Sequence, residues 1–401
     1  CRTPAMGTYT QQCDHCEAEF FGGYNSCRNR FCPSCGGPTR ARWLARLRER
    51  ILPVPYFHLV FTLPGDLSLL GMANRREVYN LLFRTAWESM AEMGEDECHL
   101  GGRTGTLMVL HTWDQLLDHH PHVHCVAPGG AWSADGRWIA ASEGKKQGRK
   151  RKAFFLPVKA LSRLFRGKFL GGLKRLHAQG RLKLEGKLAH LADREAFHRW
   201  LTPLYQKEWV VFCEAAPHGC DGPDAVLKYL ACYVAGAAIS DKRLISHEGG
   251  RVTFWARDRS KKGKGKKRRP HRLDGEEFVR RYLMHVLPRG FQRVRYYGLF
   301  SHRHRATQEQ VRAALEGVDT VGTAADLAVP EASEAEQRLA KTCMACGQGT
   351  LQARVSKETP LSWFEVLLAS PYATAADRAQ WEDRPCRARP PTSGPQTEAA
   401  R

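Results

Sequence analysis

The sequence predicts an α+β protein with a small, metal-held module at its N-terminal end. Three observations carry that expectation. Five cysteines crowd between Cys13 and Cys35. Short runs rich in β-branched and aromatic residues read as strands, and longer stretches with apolar residues at helical spacing lie between them. With 401 residues, 42% of them hydrophobic, the chain can bury a sizeable core in two or three units.

Residues 1–45 are rich in Cys, Gly and Arg and too short for an apolar core, so metal must cross-link them. The main domain, residues 50–310, opens with a strand over Tyr56 to Leu63 (YFHLVFTL), closed by Pro64 and Gly65. A helix follows over Asn74 to Met93, where Val78, Leu81, Leu82 and Ala86 share one face. Thr106 to Trp113 and His122 to Val126 are strand-like, and Trp132 and Trp138 flank a hairpin with Asp135-Gly136 as its turn. The basic stretch Lys145 to Lys152 (KKQGRKRK) then interrupts. From Pro157 runs a long basic amphipathic helix, followed by a second helix over about Asp193 to Glu208 and a strand over Trp209 to Glu214. Gly222-Pro223-Asp224 opens a short helix to about Ala235, with proline suited to a first turn. Ser260 to Arg269 (SKKGKGKKRR) is a second basic loop, before a helix over Glu276 to Val286 and a strand over Gln292 to Gly298. The C-terminal region, residues 311–401, turns rich in Ala, Glu, Pro and Thr, and from Arg384 has the composition of a disordered tail.

Charge points to the partner class. Sixty-two Lys and Arg against 41 Asp and Glu leave a formal charge of +21, a surface that attracts polyanions, of which nucleic acid is the commonest. No run of about 18 uncharged apolar residues occurs, so no membrane-spanning helix is expected. Clustered C-x2-C pairs and scattered single cysteines such as Cys98, Cys125, Cys213 and Cys232 fit a reducing, cytoplasmic setting, and Cys1 opens no charged-then-apolar leader.

Three constellations could do chemistry. Cys13, Cys16, Cys32 and Cys35 form two C-x2-C pairs, the natural four ligands of a tetrahedral Zn2+, with Cys27 either a substitute ligand or a free thiol. Arg28, Arg30, Arg40, Arg42 and Arg46 make this module a basic knuckle suited to phosphate. In His119-His120-Pro121-His122-Val123-His124, strand alternation puts His122 and His124 on one face, about 6 to 7 Å apart, where both can bind one divalent cation. His111, eleven residues before His122, is the candidate third ligand, with His120 the alternative. In Tyr229-Leu230-Ala231-Cys232-Tyr233, helical spacing brings both phenols to one face. Lys145, Lys146, Arg149, Lys150, Arg163, Arg166, Lys168, Lys261, Lys262, Lys266, Lys267 and Arg268 offer positive charge for a DNA backbone, and Trp132, Trp138 and Trp255 offer stacking rings. Cys343-x2-Cys346 is half of a second knuckle, with only Cys386 after it.

In chain order, SCRNRFCPSC, HPHVHCVAPGG and YLACYVAGAAIS together resemble the two-tyrosine HUH rolling-circle transposases of bacterial insertion sequences. The resemblance covers most of the chain and extends to YFHLVFTLP, LPVKALSRLFRGKFL and LMHVLPRGFQRVRYYG. It implies an HUH-endonuclease-like antiparallel sheet flanked by helices, beside a zinc-binding module. It implies that His122 and His124, with His111 or His120, hold Mg2+ or Mn2+, and that Tyr229 and Tyr233 are the nucleophiles. The expected activity is nicking and rejoining of single-stranded DNA at transposon ends through 5′-phosphotyrosine links, in a bacterial, nucleoid-associated protein. Two departures stand out: Phe31 where many relatives carry His, and a start that is expected to fall part-way into the zinc module. A relaxase or replication initiator of the same chemistry, or a non-catalytic zinc-dependent DNA-binding protein, is the alternative.

Overall fold

The computed structural model describes residues 6–27, 29, 31–32, 43–48, 50–141, 143–147, 150–153, 155–215, 237–257, 268–316 and 342–355. The chain divides into two compact units, Cys1–Cys27 with Ala332–Arg401, and Arg28–Glu331. The fold is mixed α+β, with open sheets and flanking helices.

In the first unit β1 (Thr8–Cys13) and β2 (Glu19–Tyr24) form an antiparallel pair, and β15 (Leu351–Val355), the last strand among the described residues, lies antiparallel on the other side of β1. The register sets Cys13 opposite Leu351 and Tyr9 opposite Val355. Residues 342–355, expected to fall in the C-terminal region apart from the zinc module, thus share a sheet with it.

The second unit is built on a five-stranded antiparallel sheet of order β10-β3-β5-β4-β14, from β3 (Tyr56–Thr62), β4 (Gly105–Trp113), β5 (His119–Pro128), β10 (Val211–Ala215) and β14 (Val294–Gly298). Alternation separates two faces. Phe57, Leu59, Phe61, Met108, Leu110, Val123 and Cys125 point to the main core. Against them pack α1 (Ser68–Ala73), α2 (Arg75–Glu95), α3 (Val158–Ala178) and α4 (Arg194–Gln206). The basic helix read from Pro157 onward is α3: it buries Leu161, Phe165, Phe169 and Leu173, while Asp193 caps α4 by accepting from the Ala196 N–H at 2.8 Å. The opposite face carries Tyr56, Leu107, Val109 and Val126, packed with Leu47, Ile51 and Phe300. His58, His111, His122 and His124 alternate onto this second face.

Between β5 and α3 lie two small hairpins, β6 (Gly130–Trp132) with β7 (Trp138–Ala140), and β8 (Glu143–Gln147) with β9 (Lys150–Ala153). The first turns at Gly136, φ +76°; the second occupies the stretch expected to be a basic loop. A second antiparallel sheet, β11 (Leu244–Glu248), β12 (Arg251–Arg257) and β13 (Arg268–Asp274), has no counterpart in the sequence expectations. Its first turn is Gly249-Gly250, both with positive φ, the backbone that a two-residue hairpin demands. Two further helices, α5 (Gly275–Leu283) and α6 (Arg305–Glu316), flank β14 in sequence. The short helix expected at Gly222 to Ala235, most of the Ser260 to Arg269 loop and the tail from Arg384 lie outside the described residues.

Candidate metal centres

The histidine site follows from strand pairing. His111 stands directly opposite His122, and Val109 and Val60 flank His124 from the two neighbouring strands. A side-chain nitrogen from each of His111, His122 and His124 lies within 4.8 Å of the others. His120 is not in that group; instead its carbonyl accepts a hydrogen bond from His122 Nδ1 at 2.7 Å. That bond puts the His122 proton on Nδ1 and leaves Nε2 with a lone pair. His124 presents Nδ1 to His58 Nε2 at 2.9 Å, with the two rings stacked at 8° and 5.1 Å. Burial, and then the positive forms of His111, His122, His58 and Arg293, drive the His124 imidazolium far below the ordinary histidine range. Burial also pushes His58 down to about 4. Neutral imidazoles are what a divalent cation needs. Three nitrogens leave coordination positions open for substrate, the pattern of a catalytic rather than a closed structural site.

Trp113 stacks on His111 at 4.6 Å and 18°, and the Arg293 guanidinium lies 5.2 Å from the Trp113 ring while Nε donates to the Leu110 carbonyl. Two other histidines are built into the frame. His119 is held between Ser68 Oγ and Tyr79 Oη, each at 2.8 Å, and His285 between Thr112 Oγ1 and the Leu117 carbonyl, each at 3.1 Å. The sequence reading missed His58. Its signal was present in YFHLVFTL: once that strand lies beside β5, alternation carries His58 to the face of His124.

The cysteine site differs from the expected one. Cys13 and Cys16 come together with Cys343 and Cys346, all four sulfurs within 4.8 Å. Cys32 stands outside the group, and Cys35 lies outside the described residues. The reason is the pairing of β15 with β1, which delivers a second C-x2-C loop from far along the chain. Cys13 Sγ to Cys346 Sγ and Cys16 Sγ to Cys343 Sγ are both 3.7 Å. A tetrahedron with Zn–S bonds of about 2.3 Å has edges of about 3.8 Å, so the sulfurs fit zinc. Backbone N–H groups of His15 and Cys16 point at Cys13 Sγ, that of Ala345 at Cys343 Sγ, and that of Gly349 at Cys346 Sγ. A Cβ at position 349 would sit 2.2 Å from Cys13 Sγ, which is why glycine is there. Hydrogen bonds from the Gly349 and Gln348 backbone pull the Cys346 thiol down to about 6. The Ala18 N–H acts the same way on Cys16, yet desolvation and the sulfurs of Cys13, Cys346 and Cys343 leave it up at about 12. Four thiolates this close need a cation to coexist.

The remaining site residues distribute unevenly. Tyr229, Tyr233, Arg28, Arg30, Arg149, Lys261, Lys262, Lys266 and Lys267 lie outside the described residues, while Lys145 and Lys146 fall on β8, Lys150 on β9 and Arg268 on β13. On α3 Arg163 is exposed, whereas Arg166 donates to the Lys207 carbonyl at 2.7 Å and Lys168 pairs with Glu92 at 2.6 Å. Trp132 and Trp138 pack beside Leu299 and Val311, and only Trp255 of the three candidate rings is exposed. Among the described residues no helix is long and apolar enough to cross a membrane.

Residues 105–308 match the family described as "Putative transposase" (Y2_Tnp), and residues 1–63 match the "Transposase zinc-binding domain" of the IS91 type. The chain is 40% identical to the "Putative transposase y4qJ" of Sinorhizobium fredii over 88% of its length and 85% of that protein's. It is 27% identical to the "Transposase for insertion sequence element IS801" of Pseudomonas savastanoi pv. phaseolicola, over 70% of this chain and 62% of that one. No solved structure matches. With a zinc-binding match followed by a Y2_Tnp match, and a relative of this identity along most of its length, the chain belongs to the family of rolling-circle-type transposases.

Proposed function

We propose that the chain nicks and rejoins single-stranded DNA at the ends of a mobile element through 5′-phosphotyrosine links, with an HUH-like active site. The observation that carries this reading is the convergence of His111, His122 and His124, upstream in sequence of the Tyr229 and Tyr233 pair. These histidines would hold Mg2+ or Mn2+, which when bound polarises the scissile phosphate and offsets charge on the departing 3′ oxygen. A phenol with an ordinary pKa near 10 is a weak nucleophile at neutral pH, so the phosphate must be made electrophilic for it. Tyr229 or Tyr233 loses its proton to solvent as Oη bonds to phosphorus. The bond from phosphorus to the 3′ oxygen breaks, and that oxygen takes a proton. The link conserves the phosphodiester's energy, so rejoining needs no ATP. The second tyrosine serves a second transfer while the first end stays attached. His58, in contact with His124 Nδ1, would fix the orientation of that ring. Zn2+ on Cys13, Cys16, Cys343 and Cys346 is structural, since four thiolates leave no open position.

The test is covalent trapping on a labelled single-stranded oligonucleotide carrying an element end. A protein-DNA adduct should form with Mn2+ and vanish with EDTA or in His122→Ala. Adduct formation by that variant would remove the histidines from catalysis.

A further inference from the structure

The strands β11, β12 and β13 form a sheet to which the histidine and tyrosine chemistry assigns no task. Its two faces differ sharply. On the inner face Phe254 and Ala256 are buried with Leu117, Ala238 and Ile239, and with Trp113 and Leu116 at the margin. On the outer face alternation puts Arg251, Thr253, Trp255 and Arg257 of β12 beside Asp274, Arg272, Pro270 and Arg268 of β13, in cross-strand register. Trp255 is 37% exposed, a large ring left in water among the arginines of that face. Asp274 pairs with Arg251, and among the described residues no carboxylate pairs with Arg257, Arg268 or Arg272.

We propose that this outer face is a binding surface for single-stranded DNA, with Trp255 as a base-stacking platform and Arg257, Arg268 and Arg272 as phosphate contacts. The proposal rests on the DNA reading above and gives it a place. Flat rings among cations recognise a strand whose bases are unpaired, because a duplex hides its base faces in its own stack. Pro270 opposite Trp255 keeps the platform low, Arg268 and Arg272 flank it on β13 four residues or about 13 Å apart, and Arg257 stands across from Arg268. The sheet is also tied to the histidine site. Its inner face rests on Trp113, which stacks on His111. Arg243 donates to both the Trp255 and Gln115 carbonyls, and Arg281 reaches Leu116 and Asp118. A strand lying across β12 and β13 would thus be held on an element braced against the histidine strands.

The experiment measures binding of the full chain to a labelled oligothymidylate, and to a duplex of equal length, across a salt series. Trp255→Ala should weaken single-strand binding roughly five- to a hundredfold, and Trp255→Phe should restore most of it. Changing Arg257, Arg268 and Arg272 together to Gln should lower the slope of log K against log salt by about 2. All substitutions are on the solvent face, so zinc content and thermal transition should match the unaltered chain. Unchanged affinity and slope, while the unaltered chain binds the oligonucleotide, would overturn this surface alone. Equal losses on duplex would overturn stacking as its basis. An unaltered chain that binds neither would bring down the DNA reading as well.

Discussion

His124 is pinned on every side: by His58 at Nδ1, by His111 and His122 on its own face, and by β3 and β4 on its flanks. Outer partners of a metal-bound imidazole typically contribute ten- to hundredfold in metal affinity. His58→Ala should therefore weaken Mn2+ binding by about that factor, measured by titration calorimetry, whereas His124→Ala should abolish it. His58→Gln keeps an oxygen that accepts from Nδ1 and should recover most of the loss. Equal affinity in His58→Ala and the unaltered chain would reduce the contact to packing. The tyrosine pair makes a second residue-scale expectation. Tyr229→Phe and Tyr233→Phe remove one oxygen each, so each variant should stay folded and still form one adduct, yet neither should complete a reaction requiring two transfers. Adduct formed by the double variant would place the nucleophile elsewhere. Tyr296 and Tyr297 are poor substitutes: Trp43 Nε1 donates to Tyr296 Oη at 3.0 Å, Tyr297 stacks on Trp87 at 5.5 Å, and burial raises both phenols.

At the scale of elements, legibility tracked how local the signal was. β3, β4, β5, α2, α3 and α4 could be read because hydrophobic period and Pro, Gly or Asp boundaries lie within each segment. His111 opposite His122 was readable for the same reason, as a hairpin-like pair separated by a short connection. Of the zinc ligands, Cys13 and Cys16 were legible and the other two were not. Cys343-x2-Cys346 looked like half a knuckle because its other half is more than 300 residues away, and only the pairing of β15 with β1 reveals the match. The β11-β12 hairpin was missed despite Gly249-Gly250, a strong local turn signal, because the charged and polar residues around it blur the strand alternation. The zinc clasp makes its own prediction. Cys343→Ser should lower bound zinc by about one ion per chain and expose residues 351–355 to protease, because a three-stranded sheet this small has little core beyond the metal. Undiminished zinc would return Cys32 and Cys35 to the ligand set.

Over the whole molecule, the formal charge of +21 and the burial of neutral histidines make acid the weak direction of stability. Burial, reinforced by nearby positive groups, lowers His119 to about 3. Burial lowers His285 to about 4, against the effect of the Leu117 carbonyl. Both titrate near 6.5 when the chain unfolds. Between those values the unfolded chain binds protons that the folded chain refuses, so stability rises with pH and is lost as pH falls below about 6.5. Each histidine costs about 1 kcal/mol between pH 6.5 and 5.5, about 2 kcal/mol for the pair. Glu277, held down to about 2 by hydrogen bonds from Arg280 and Arg281, keeps its charge throughout that window and contributes nothing to the slope. Urea unfolding at the two pH values should show the loss. The double variant His119→Gln, His285→Gln cannot titrate there, and its unfolding free energy should fall by about 2 kcal/mol less over the same unit. Zinc thiolates and every other group are common to both proteins, so the difference isolates the two imidazoles. Parallel pH dependence in the two proteins would mean that these histidines open to solvent and take up protons before the sheet unfolds.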